Sequence, residues 1–343
     1  MACHSTERMI ADAASDARAG IVVWSPVKSI WTGSVTVIAL VGGPLSFTAD
    51  AFLLFLVTSA ITLCGGHSVG MHRLLIHRGF EAPKWLEHIL VYLGTLIGMA
   101  GPRGMIYGHD IRDWAQRQET CHDLFGHRRP FLHDAWWQMH CEVRLDHPPR
   151  FVLEPAVAQD RFYRIVERTW LWQQLPWAVG FFLVGGLPWL IWGVPVRVAV
   201  SLTGHWLVGH FAHRGGHQGW RVEHVAVQGY NIRHIGLITF GECWHANHHA
   251  FPGSAKLGLE PGQIDPGWWL IKLFQYAGLA RNPRLPEHLP ARANVVRATS
   301  RPQQQAGIEL EGAAAGDGEL RGLRVGRVEH EVARLGHDHR GHR

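Results

Sequence analysis

Residues 29–49 carry no charged side chain, Asp50 interrupts them, and residues 51–71 are again free of charge. Each run, SIWTGSVTVIALVGGPLSFTA and AFLLFLVTSAITLCGGHSVGM, supplies the roughly 20 residues that a helix needs to cross a bilayer. With Pro44 and Asp50 bracketing the joint, the two runs predict a hairpin of membrane helices closed by a short turn on the far side. A pair of buried helices in a soluble core is the competing reading, and two charge-free runs back to back weigh against it. Composition agrees with the membrane: charged residues make up 18% of the chain, below the roughly 25% of soluble domains. The sixteen tryptophans suit a boundary where one edge of the ring is apolar and the other wet.

A second long apolar stretch lies between Arg168 and Arg197, twenty-eight residues without charge, and its character continues to Phe211. It is too long for one helix and suits two, turning near the GGLP at 185–188 or the GVP at 193–195. Arg197 then either snorkels from the far end or pairs with a group inside the bundle. Residues 88–102 are also uncharged, but fifteen residues fall short of a span. They predict a helix at the interface that returns to the side it left. The arginines stand between the apolar runs, which places those loops, and both termini, in the cytoplasm.

The expected fold is therefore an all-α, multi-pass integral membrane protein. It has four transmembrane helices in two hairpins, an interfacial helix and a cytoplasmic histidine-rich cap. Residues 1–28 read as a polar N-terminal tail without the apolar core of a signal peptide, 29–290 as the membrane domain, and 291–343 as a low-complexity, disordered tail. The formal charge of +5 does not point to nucleic acid, because no basic stripe is interleaved with aromatics. The five cysteines form no CxxC pair, so neither a zinc ribbon nor a disulfide framework is indicated.

Twenty-five histidines make most single histidines uninformative, but their grouping is not random. The stretch GECWHANHHAFP, residues 241–252, sets His245, His248 and His249 three and four apart, so on a helix they share a face as metal ligands do. His72 and His77 are five apart, about 500° around an α-helix, and do not share a face. They serve two different metals or flank one from a distorted helix end. The segment after the short apolar stretch returns to the same side with His109, Asp110, Arg112 and Asp113; Arg112 stays protonated and is no ligand. His205, His210 and His213 end the last apolar run.

In their order along the chain, these residues resemble the membrane-bound fatty-acid desaturase family, the non-haem di-iron enzymes that include acyl-CoA desaturases. The resemblance covers roughly residues 31–289, making 29–290 the desaturase domain. GMHRLLIHRGF is similar to the family's first histidine box and gives His72 and His77. GECWHANHHAFP is similar to the third and gives His245, His248 and His249. WLVGHFAH resembles the NxxxH pattern at the end of the fourth span and gives His213, with Gly209 where the family has asparagine. The second box, HxxHH in the family, falls on His109, Arg112 and Asp113. The resemblance thus implies seven histidines and one aspartate around two irons, where the family uses eight or nine histidines. Either His122 or His127 fills the gap, or one iron is ligated differently, or the activity is altered.

The implied reaction is O2-dependent desaturation of an acyl-CoA or acyl-lipid, dioxygen and two electrons removing two hydrogens from the chain. Removing hydrogen from an unactivated methylene is beyond a side-chain acid or base and requires a metal–oxygen oxidant; imidazole suits iron. Asp110 and Glu242 are candidate carboxylates to orient ligand rings. The sequence has no HPGG haem motif, so the electrons are expected from a separate ferredoxin, rubredoxin or cytochrome b5-like donor. A hydroxylase or ketolase with the same metal chemistry, and a membrane protein that binds metal without catalysis, are the alternatives.

Overall fold

The computed structural model describes residues 8–298. In order, the helices are α1 Pro26–Leu45, α2 Ala49–Ala60 running on as a π-helical segment Ile61–Ile76, α3 Lys84–Thr95, α4 Pro102–Gln116, α5 Phe131–His140, α6 Pro155–Ala158 and α7 Arg161–Thr169. Then come α8 Gln174–Ile191, a π-type turn Trp192–Val196, α9 Arg197–Ala212, α10 His245–Ala250 and α11 Pro266–Tyr276. Three small antiparallel pairs complete the fold: β1 Met9–Ile10 with β4 Arg150–Phe151, β2 Gly20–Trp24 with β3 Cys141–Leu145, and β5 Trp220–Val222 with β6 Val295–Arg297.

Among the described residues, two helical stretches are long and apolar enough to cross a membrane, Ala49–Ile76 and Gln174–Ala212, the second broken at Gly186. Only 33% and 22% of their apolar windows are buried within the chain. Leu53, Leu183 and Val184 stand 60%, 77% and 74% exposed. Helices of a soluble core would be covered, whereas these present apolar faces that the chain leaves bare, as lipid-facing helices do. α1, at 20 residues, also leaves apolar side chains bare, with Leu40 71% exposed.

The turn in the second long helix falls at Gly186, whose φ of 65° and ψ of −154° belong to a region that glycine alone adopts freely. Of the two turn sites expected from sequence, this is the first. Here the two long apolar segments meet: the Trp189 indole donates to Asp50 Oδ2 at 2.5 Å, and Trp192 donates to the Gly43 carbonyl at 3.1 Å. α3 has 12 residues, too few to cross a bilayer, and the chain reverses after it into α4.

Arg197 pairs inside the bundle. It is 2% exposed and donates to Gly193 O at 2.8 Å, Leu96 O at 2.7 Å and Gln174 Oε1 at 2.8 Å. Three neutral oxygens, from the residue that follows α3, from α8 and from the π-type turn before α9, thus share one guanidinium. Arg197→Leu would leave Gln174 Oε1 without a donor in an apolar setting, although Gln174 Nε2 would still donate to the Leu96 carbonyl at 2.9 Å, a loss of about 2 kcal/mol. Melting in detergent checks this, and an unchanged midpoint would remove the guanidinium from the packing of these helices.

The ends of the chain differ from the expected tails. β2 is rich in β-branched residues, GIVVW, and pairs along its whole length with β3. The N-terminal segment is therefore folded, its strands pairing with Cys141–Leu145 and Arg150–Phe151, where mixed charge had suggested a tail. At the other end β6 pairs with β5, so folded structure continues past 291. The rest of the expected C-terminal tail, from 299, lies outside the described residues.

Candidate metal centre

The π-helical winding of Ile61–Ile76 decides how the first two histidines stand. Its hydrogen bonds run i→i+5, as from the His77 N–H to the His72 carbonyl at 3.0 Å, so residues five apart come onto one face. The His72 and His77 rings lie 4.8 Å apart between centroids. Of the two readings left open by α-helical geometry, the distorted helix end is the one observed, with both rings in one group. His109 from α4 and His248 from α10 complete it: the four ligand atoms lie within 4.8 Å of one another.

A second group forms beside it from His213, His245 and His249, again within 4.8 Å. His213 caps the end of α9, while His245 and His249 are one turn apart on α10. The short helix α10 is held by its neighbours. Asn247 donates to Leu257 O and Gln263 Oε1, Asn231 accepts from the Ala246 N–H, and Trp244 donates to Ile264 O. His248 belongs to the first group yet faces the second, its centroid 5.5 Å from His245 and 5.9 Å from His249.

The donor set fits a pair of metal ions in three respects. His77 Nε2 lies 3.2 Å from His109 Nε2, and His245 Nε2 lies 3.1 Å from both His213 Nε2 and His249 Nε2. Two imidazole nitrogens on one ion at roughly 2.1 Å stand about 3.0–3.4 Å apart. Secondly, outward-facing nitrogens have acceptors: His109 Nδ1 meets Asp110 Oδ1 at 3.3 Å and His213 Nδ1 meets Gln228 O at 3.2 Å, while the Glu242 carboxylate lies 2.7 Å from His72 Nδ1 as a charge contact without hydrogen-bond alignment. Such partners fix the tautomer and leave the inner lone pair free. Thirdly, the buried Nδ1 of His248 has no hydrogen-bond partner.

The electrostatics hold five of the rings neutral and Glu242 ionised. Burial, followed by neighbouring imidazoles, pushes His77, His213, His245 and His248 well below the usual histidine range, and burial brings His249 to about 4. For His109 burial acts downward, but Asp113 and Asp110 outweigh it and raise the ring. Burial alone would raise Glu242; His72 and Arg73 overcome it and hold the carboxyl well below its ordinary range.

The second box has been rewired. Arg112 directs Nη2 to Gln138 Oε1 at 2.8 Å, and its Nη1 lies 3.4 Å from His127 Nε2. His127 occupies the space that Gly209 leaves open: a Cβ at 209 would stand 3.2 Å from His127 Nε2. Its Nδ1 donates to Asp134 Oδ2 at 2.9 Å, and His210 Nδ1 and Trp206 Nε1 reach the same oxygen at 2.7 and 2.9 Å. Asp134 is thereby satisfied by three donors. This buried cluster was not apparent from sequence, since nothing in the spacing of His127, Asp134 and His210 distinguishes them from other polar residues.

Asp113 stands in neither histidine group. Its Oδ2 accepts from Arg117 Nη2 at 2.7 Å, and its charge acts on His77, His109 and His248 of one group and on His245 and His249 of the other. His122, the other gap-filling candidate, stays with its own loop, accepting from the Leu124 N–H. His205 pairs with His67, ring centroids 5.1 Å apart.

No protein-family model matches the chain. It is 32% identical over 267 residues to acyl-CoA 5-desaturase AL21 of Anemone leveillei, covering 77% of this chain and 80% of that protein. It is likewise 32% identical over 243 residues to the sn-1 stearoyl-lipid 9-desaturase of Anabaena variabilis, 68% of this chain and 83% of the relative. With the delta-9 desaturase-like 2 protein of Arabidopsis thaliana it shares 32% over 278 residues, 77% and 87% of the two chains.

Proposed function

The chain belongs to the fatty-acid desaturase family, a family of oxidoreductases, and on that premise we propose that it is a membrane-bound acyl-CoA or acyl-lipid desaturase with two irons at its seven convergent histidines. The observation that carries this is the pairing of two adjacent groups of inward-facing imidazole nitrogens, bridged by His248. Neutral nitrogen ligands suit iron and leave room for further ligands. Iron bound there would supply, with dioxygen and two electrons, the oxidising power that removes two hydrogens from an unactivated acyl chain.

The protein's own contribution is placement. Glu242, Asp110 and the Gln228 carbonyl hold three of the rings by their outer nitrogens, and Asp113 balances part of the ions' charge. The bundle is read as four spans: α1, α2 with its π-helical continuation, and the apolar residues 169–185 and 187–211 on either side of Gly186. The histidine centre then lies at the cytoplasmic ends of the spans, on the side of both termini, with the acyl chain entering between spans and cap. A separate ferredoxin, rubredoxin or cytochrome b5-like protein supplies electrons. The acyl-CoA relative from Anemone and the acyl-lipid relative from Anabaena set the two substrate carriers to compare.

Expression in a desaturase-deficient host, with fatty-acid profiling by mass spectrometry and metal analysis of the purified protein, tests the proposal. A new double bond and about two irons per chain are expected. No unsaturated product together with less than about one iron per chain would overturn it.

A further inference from the structure

Arg8 lies outside every histidine motif, yet it is 3% exposed and joins two of the three segments that deliver the first group of rings. Its Nη2 donates to Leu75 O at 3.2 Å and its Nη1 to Ile76 O at 3.2 Å. These carbonyls end the π-helical segment, immediately before His77. The same Nη1 donates to Asp110 Oδ2 at 3.1 Å, while the other oxygen of Asp110 meets His109 Nδ1 at 3.3 Å. Nε and the second amino group hold Glu154, at 2.7 and 2.9 Å. Glu154 in turn accepts from Arg78, next to His77, at 3.1 Å. Beside Arg8 in sequence, β1 pairs with β4, and the Arg8 carbonyl accepts from the Val152 N–H at 2.9 Å.

We propose that Arg8 is a positioning residue for the metal centre, its guanidinium locking the carbonyl end of the His72–His77 helix to the carboxylate that orients His109. The inference rests on reading the histidine groups as a metal centre. Only arginine has the planar fork of five donors needed to serve two carbonyls and two carboxylates at once. The last carbonyls of a helix have no partners within it, so a buried cation placed there fixes the helix end as well as satisfying it. Asp110, pinned on one oxygen by Arg8, presents the other to His109. A carboxylate that orients a ligand ring in this way governs how tightly the metal is held. The N-terminal segment is thus part of the site's framework.

The test loads purified full-length protein with Co2+, whose visible bands report the number and arrangement of nitrogens around the ion, and separately with Fe2+. Release to a chelator is then timed. Arg8→Ala and Asp110→Asn are each expected to release metal about 10–100-fold faster than wild type and to alter the cobalt spectrum. Arg8→Lys should restore only part of the difference, because an ammonium lacks the fork. Helical content by circular dichroism is measured alongside; if Arg8→Ala fails to fold, Asp110→Asn and Arg8→Lys carry the test. Wild-type spectra and release rates in the folded variants would overturn the role of Arg8 while leaving the metal centre standing. A wild-type protein that takes up neither ion would overturn both.

Discussion

His248→Ala is expected to reduce unsaturated product by at least about 100-fold while the membrane helices remain folded. His248 lies 4.6 and 4.8 Å, centroid to centroid, from His72 and His77, and faces His245 and His249 of the other group. Its loss removes a ligand from one group and separates the two. The change is confined to the cap, since α10 is held by Asn247 and its neighbours. The expected signature is therefore loss of product and of bound iron with unchanged helical content, read by fatty-acid profiling, metal analysis and circular dichroism on one preparation. Product at the wild-type level would take His248, and with it the third histidine box, out of the active site.

The histidines could be found by spacing because ligand chemistry leaves few alternatives once several imidazoles recur at helical intervals. How they are arranged was less legible. His72 and His77 cannot share a face on an α-helix, and they meet because the helix that carries them winds with i→i+5 bonds. No residue pattern in ITLCGGHSVGMHRLLI announces that winding. The apolar runs showed the long helices Ala49–Ile76 and Gln174–Ala212, since absence of charge over 20 residues is a strong constraint. The same criterion hid the N-terminal strands: GIVVW is too short to stand out, and only its partner, far along the chain at Cys141–Leu145, makes it a strand. Arg8 was invisible, and His127 could be named only as a possible ligand, for a related reason. Their roles come from contacts with residues remote in sequence, Asp110 and Glu154 for one, Asp134 and the space at Gly209 for the other.

Asp113→Ala is expected to lower bound iron by roughly half and product by at least about 10-fold, with Asp113→Asn behaving alike. Seven neutral imidazoles can bind two dications but cannot neutralise them, and in a buried site uncompensated charge is costly. Glu242 and Asp110 act from behind His72 and His109. Asp113 instead acts on rings of both groups. Burial would raise its carboxyl, but Arg117 and then His109 hold it well below the ordinary range, so it is an anion at neutral pH. Its neighbour Arg112 is committed to Gln138 and His127 and offers no replacement. Asparagine keeps the shape and removes the charge, which is why it should fail as alanine does. Asp113→His supplies a neutral nitrogen in the position where the family's second box has one, and it should retain or raise the iron content. Metal analysis of the four purified proteins, with product measured in the same host, decides the matter. Unchanged iron and product in both Asp113→Ala and Asp113→Asn would show that the two histidine groups hold their ions without this carboxylate.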